Sequence, residues 1–188
     1  SYETIFKADE RIALTDDVLA YIVAQLQMYS LLESDVDVKG HAYETIVGSN
    51  LRGDKGQFFT PRNMCHMMVR MVDPSENDVI LDPAMGTCGF LVTAMNYVLE
   101  KIGDSVDASG RSKTAKQEAL IARKREFLSK HIVGIDFDPI LVRASKMNMV
   151  MNNDGSGNIL QTNSLLPPHE WTDEFRTKLA EALGVEKS

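Results

Sequence analysis

Apolar residues recur at helical spacing near the start of the chain, where Val18, Leu19, Ile22, Val23, Leu26 and Tyr29 follow Thr15-Asp16-Asp17. Acidic residues there complement the positive end of a helix, so a helix is expected from this point. A shorter helix is expected over His41 to Val47, followed by a glycine-punctuated polar loop from Gly48 to Gly56. After the loop, Thr60 is placed to cap a helix with Pro61 in its first turn. Met64, Met67, Met68, Met71 and Val72 continue that helix as an apolar face read as core, and Asp73-Pro74 ends it.

The period then changes. Val79-Ile80-Leu81 is a short apolar run, followed by a turn of small residues and a helical stretch from Phe90 to Lys101: strand, tight loop and helix. Gly103 to Ser112 reads as a polar loop, and Thr114 to Lys130 as an extra helix. A second strand, His131 to Asp136, precedes a helical pattern from Pro139 to Asn152. A third, Asn158 to Gln161, follows the turn Asn153-Asp154-Gly155, and a helix is expected over Thr172 to Ala180. Strands alternating with helices predict an α/β protein whose parallel sheet is covered on both faces. The expected division is a helical N-terminal region, 1–55, and an α/β part, 56–188.

Composition narrows the classes. The 188 residues, 44% hydrophobic and 25% charged, are those of a soluble globular chain. No apolar stretch approaches the roughly 18 residues of a membrane span. The first residues lack the layout of a signal peptide, so no membrane association and a cytoplasmic location are expected. Cys65 and Cys88 have no CxxC spacing, and His41, His66, His131 and His169 form no cluster; reduced thiols and no metal site are expected. A net charge of -7 argues against a chain that grips nucleic-acid phosphates unaided. The basic run from Lys113 to Arg125, interrupted by Glu118, reads as a solvated helix face.

In an open parallel sheet, ligands sit beyond the carboxyl ends of the strands. Those ends read Asp82-Pro83-Ala84-Met85-Gly86-Thr87-Cys88-Gly89-Phe90, then Asp136-Phe137-Asp138-Pro139, then Asn163-Ser164. Gly86 and Gly89 let backbone approach a ligand closely, and the Asp82 carboxylate attracts an ammonium, directly or through water. Asp136 offers two acceptor oxygens to a ribose diol, and Asn163 offers an acceptor and two donors to an adenine edge. Taken singly, each has a plainer reading: a helix cap, a tight connection, a turn residue, and for Phe90 and Phe137 packing against the sheet. The turn is neither GxGxxG nor a P-loop, which argues against a dinucleotide or nucleoside-triphosphate site.

Taken in order, GQFFTPR at 56–62, DPAMGTCGFL, GIDFDP and TNSLL resemble the motifs of amino-methylating adenine DNA methyltransferases, particularly the modification subunit of type I restriction systems. The resemblance runs from about Ala42 to Leu166. It implies a partial S-adenosylmethionine-dependent, Rossmann-like methyltransferase sheet behind an N-terminal helical region. It implies that Gln57, Phe58, Phe59, Thr60, Pro61 and Arg62 fold over the methionine end of the cofactor. It further implies cofactor contacts from Asp82, Gly86, Thr87, Cys88 and Gly89, a ribose contact from Asp136, and an adenine contact from Asn163. Phe137 is the aromatic residue expected to touch adenine. The implied partners are duplex DNA and a separate specificity subunit, with a restriction subunit a further one in such systems.

Two features depart from that pattern. Met85 and Cys88 stand where small residues are usual; Cys88 fits, whereas Met85 either tightens the loop or points outward. The family's catalytic Asn/Asp-Pro-Pro-aromatic segment, which holds the target amine and stacks on the flipped base, is not among these residues. Leu166-Pro167-Pro168-His169 lacks the amide or carboxylate, the large aromatic and the preceding strand, and reads as a loop. No catalytic residue is therefore assigned in this chain, which is expected to bind cofactor with little or no activity alone. Two other readings stand beside this one: a methyltransferase acting on RNA, protein or a small molecule, and a non-catalytic assembly module with a vestigial cofactor site.

Overall fold

The computed structural model describes residues 9–30, 45, 60–110, 112–152 and 158–185. Helix α1, Asp16–Leu26, starts where its acidic first turn predicts and buries none of its residues; Tyr21 is 66% exposed. The helix expected over His41 to Val47 lies outside the described residues except for Thr45, which is helical, and the loop from Gly48 to Gly56 lies wholly outside them.

Helix α2, Arg62–Val72, begins one position later than expected, with Pro61 as its N-cap residue in place of Thr60. Its methionine stripe is not core. Cys65 and Val69 are the buried residues, whereas Met64, Met67 and Met68 are exposed and Met71 and Val72 are each 77% exposed. Residues four apart share one helix face, so the Cys65–Val69 stripe occupies the buried side and turns the methionines away from it. Asp73 ends the helix in the left-handed conformation, φ 51°. Its carboxylate accepts hydrogen bonds from the Tyr97 hydroxyl at 2.5 Å and Lys101 Nζ at 2.8 Å, tying the end of α2 to the helix that follows β1.

The next elements are β1 (Ile80–Asp82), α3 (Gly89–Asp107), α4 (Lys113–Lys130), β2 (Ile132–Asp136), α5 (Pro139–Met151), β3 (Ile159–Gln161) and α6 (Asp173–Leu183). The expected loop from Gly103 is helical as far as Asp107, because Ile102 and Val106 continue the buried stripe of α3. That burial outweighs the cost of about 1 kcal/mol for a glycine inside a helix. Pro168–Glu170 forms a single 3-10 turn, so the Pro-Pro segment is a connection, as expected.

The sheet order is β1-β2-β3 with both pairs parallel, Leu81 opposite Val133 and Ile135 opposite Leu160. Side chains alternate along β2, which therefore feeds two cores. Ile132 joins Leu91, Met95 and Ile102 of α3, Phe127 of α4, and Val142 and Met149 of α5. Ile135 joins Leu160 and Phe175, with Trp171 and Leu179 packed alongside. Both faces of β2 are thus covered, as the alternating pattern predicts. β1 forms one edge, and its Leu81 is 45% exposed.

The basic run on α4 is a solvated face carrying local ties: Arg123 pairs with Glu76, and Lys116 donates to the Asp107 carbonyl. No helix among the described residues is long and apolar enough to cross a membrane.

Candidate functional site

The carboxyl ends of the three strands converge. β1 ends in Asp82, whose Oδ1 accepts the Ala84 N–H at 3.1 Å, and the turn after it is stitched to β2 by the Met85 N–H donating to the Ile135 carbonyl at 3.0 Å. One position on, the Gly86 N–H donates to Asp136 Oδ2 at 2.9 Å. The other carboxylate oxygen, Oδ1, accepts the Asp138 N–H at 2.9 Å. Asp138 in turn caps α5, accepting the Ile140 N–H at 2.8 Å, with Pro139 in the first turn. Each Asp136 oxygen therefore takes one backbone donor and keeps a second lone pair for a ligand.

Asp82 and Asp136 are close enough for their charges to interact. Burial, followed by the neighbouring Asp136 charge, pushes the Asp82 carboxyl above the usual carboxylate range, against the lowering effect of the Ala84 N–H. Two neighbouring carboxylates suit a cationic group beside them.

The loop between Asp82 and α3 contains two left-handed residues, Gly86 (φ 55°) and Cys88 (φ 66°). Gly86 meets this need without penalty; Cys88 adopts it with its side chain fully buried. Burial pushes the Cys88 thiol up to about 12, so it stays protonated at neutral pH. Thr87 is also buried, at 5% exposure.

Met85 neither crowds the loop nor points outward. It is buried over Gly134 of β2, where an added Cβ would lie 2.6 Å from the Met85 sulfur, 2.7 Å from Leu91 Cδ1 and 2.8 Å from Ile159 Cδ1. The large residue in the loop is matched by the missing side chain beneath it. This pairing was not apparent in the sequence, because it links a loop residue to a strand residue 49 positions away.

Asn163 follows β3. Its Oδ1 accepts the Leu165 N–H at 3.1 Å, and its backbone carbonyl accepts from Trp171 Nε1 at 3.2 Å. The adjacent Ser164 hydroxyl donates to the Pro83 carbonyl at 2.7 Å, drawing the loop after β3 toward the loop after β1. Phe137 is 71% exposed beside Asp136 and does not pack against the sheet; Phe90 is half-buried and lines a groove. That groove, about 610 Å³, runs beside β1 from Met68 and Val72 to Asp82 and Pro83.

Of the remaining sequence-predicted residues, Gln57, Phe58 and Phe59 lie outside the described residues. Thr60 and Pro61 are exposed and Arg62 is half-buried at the start of α2. This end of α2 reaches the loop through Cys65, whose Sγ donates to the Thr60 carbonyl at 3.9 Å and lies 4.0 Å from where a Cβ on Gly89 would be. Ser145 and Asn148 of α5 were not singled out from the sequence, yet both reach the loop: Ser145 Oγ donates to the Gly86 carbonyl at 2.6 Å and Asn148 Nδ2 to the Thr87 carbonyl at 2.8 Å. The available signal was a serine and an asparagine three apart, on one face of a helix rich in apolar residues. Among the described residues, no group of three or more His, Cys, Asp or Glu side chains is arranged to hold a metal ion.

With this arrangement, the N-6 DNA Methylase family model matches residues 34–180. The chain belongs to the N-6 DNA methylase family. It is 30% identical over 123 residues to the type I restriction enzyme StySPI methylase subunit of Salmonella potsdam, covering 64% of this chain and 21% of that one. It is 28% identical over 134 residues to the type II restriction enzyme and methyltransferase RM.BcgI of Heyndrickxia coagulans, covering 70% and 18%. This N-6 DNA methylase chain thus spans about a fifth of the length of these relatives. A crystal structure from Vibrio vulnificus YJ016, described as a modification subunit of a type I restriction enzyme, superposes with a TM-score of 0.53 at 24% identity, covering 79% of this chain and 28% of that one. The fold is accordingly that of the α/β methyltransferases, with three parallel strands among the described residues.

Proposed function

We propose that this chain is the S-adenosylmethionine-binding part of a DNA adenine-N6 methyltransferase of the type I restriction–modification kind, comprising a helical region, 1–55, and a cofactor-binding part, 56–188. The observation that carries the reading is Asp136: it grips Gly86 with one oxygen and the start of α5 with the other, beside a half-buried Asp82 and an exposed Phe137.

The donor set fits the cofactor. Asp136 would take the ribose hydroxyls on its remaining lone pairs. Asp82 would face the cationic methionine end, directly or through water, where a positive charge relieves its repulsion with Asp136. Phe137 would lie against adenine, and Asn163 would offer its side-chain amide to the adenine edge. Gly86, Thr87, Cys88 and Gly89 would meet the ligand as backbone, and Gln57 to Arg62 would close over it. Bound there, S-adenosylmethionine supplies a methyl group on a sulfonium, which accepts the departing electron pair as neutral sulfur. The contribution of these residues is alignment, holding the donor along one line of attack, an effect worth up to about 7 to 11 kcal/mol in favourable intramolecular cases. No residue of this chain is assigned to binding the target amine, so duplex DNA, a specificity subunit and a restriction subunit belong to the intact assembly. The proposed place of work is the cytoplasm.

Calorimetry with S-adenosylmethionine tests the reading: one-site binding is expected, weakened by Asp136→Ala, and unchanged affinity in that variant defeats the ribose assignment. N6-methyladenine formation by these residues alone would defeat the assignment of the acceptor half to other parts of the assembly. A second reading, the assembly module, is favoured by α1, which buries nothing and exposes Tyr21, Val23 and Leu26. A folded sample that binds no S-adenosylmethionine would support it.

A further inference from the structure

We propose that Ser145 and Asn148 of α5 are positioning residues that hold the Gly86–Thr87 backbone in its ligand-ready shape; the proposal rests on the cofactor reading above. Both side chains are buried, Ser145 at 0% and Asn148 at 1% exposure, so each donor needs a partner inside the protein. A serine within a helix ordinarily returns its hydroxyl to the carbonyl one turn back. Ser145 instead reaches out of α5 to the Gly86 carbonyl at 2.6 Å. Asn148 likewise spends its amide on the Thr87 carbonyl at 2.8 Å. Asparagine is a poor residue for a helix interior, and here a third member orients it: Asn152 Nδ2 donates to Asn148 Oδ1 at 2.9 Å and to the Asn148 carbonyl at 2.8 Å. With Oδ1 engaged as acceptor on that side, the amide nitrogen of Asn148 faces the loop.

The consequence falls on one residue above all. Gly86 is fastened at both ends, its N–H to Asp136 and its carbonyl to Ser145, while sitting in the left-handed conformation two positions before Cys88, also left-handed. Asp136 and Asp138 initiate the same helix from which Ser145 and Asn148 project. The ribose acceptor and the loop at the methionine end are therefore set by one rigid element. Release of the carbonyls frees the loop to leave its left-handed geometry while no side chain assigned to the ligand is altered.

The test uses the whole 188-residue chain. Amide hydrogen exchange at Gly86, Thr87 and Cys88 is read without ligand, and S-adenosylmethionine affinity by calorimetry, for the parent, Ser145→Ala, Asn148→Ala and Phe175→Leu. Phe175 lies in the smaller core, on the far face of the sheet, and serves as a destabilised control. Loop exchange is expected to quicken about tenfold relative to Val133, and affinity to fall about five- to tenfold, in Ser145→Ala and Asn148→Ala, with the control moving neither. Ser145→Ala removes one oxygen, at an expected cost of about 1 kcal/mol or a little more, about a fivefold change in the folding equilibrium, so it decides the matter if Asn148→Ala unfolds. Parental affinity and parental loop exchange in Ser145→Ala would overturn the proposal alone, as would an equal loss of affinity in Phe175→Leu. Absence of binding by the parent would overturn the cofactor reading and the proposal with it.

Discussion

The backbone N–H of Gly86 donates to Oδ2 of Asp136 at 2.9 Å, joining residues 50 positions apart. A single carboxylate thereby shapes the loop after β1 and keeps its remaining lone pairs for a ligand. Asp136→Asn keeps the size of the side chain but removes its charge and replaces one acceptor oxygen with a donor. The expected result is S-adenosylmethionine affinity reduced roughly tenfold or more, in line with about 1.5 to 3 kcal/mol for a hydrogen bond to a charged group. Calorimetry measures it, and parental affinity would show that the ribose does not rest on this group.

Asp82 is held above the ordinary carboxylate range by burial and by Asp136. The native state therefore binds this proton more tightly than the unfolded chain. Its contribution to stability is most favourable in acid and declines as pH rises from the unfolded value through the folded one, leaving a net cost at neutral pH. Asp82→Asn is expected to raise the thermal midpoint at pH 7 and to lose that advantage in acid, while weakening S-adenosylmethionine binding. Melting curves across pH check the first part; a lower midpoint at pH 7 would show that the carboxylate is stabilised by a partner.

Gly134 leaves the room that Met85, Leu91 and Ile159 fill. Gly134→Ala is expected to cost about 1 to 3 kcal/mol through overpacking. Because Met85 is a direct neighbour, adding Met85→Ala should recover part of the loss, giving a non-additive pair by urea unfolding. Strict additivity would mean that the strain is relieved elsewhere, at Leu91 or Ile159.

Phe137 is 71% exposed and contributes little packing. Phe137→Ala is expected to change stability by no more than about 0.5 kcal/mol. Loss of base stacking, worth about 1 to 3 kcal/mol, should nonetheless weaken S-adenosylmethionine at least about fivefold. Parallel urea and calorimetric titrations separate the two effects; a fall in stability with no change in affinity would assign Phe137 to the fold.

The chain order of apolar runs, small-residue turns and helical stretches by itself determined the parallel α/β arrangement and the strand-end positions of Asp82, Asp136 and Asn163, because period and turn chemistry are local properties. Local pattern also misled. The methionines of α2 read as core, but which side of a helix is buried depends on what packs against it, and the buried stripe is Cys65–Val69. Gly103 read as a break, but the continuing burial of Ile102 and Val106 carried α3 through it. Only tertiary structure decided how the strand ends work together: Asp136 on Gly86, Ser164 on Pro83, Ser145 and Asn148 on the loop carbonyls, and Met85 over Gly134. Each of these joins positions far apart in the chain, and such contacts depend on strand order and register, which no run of neighbouring residues encodes.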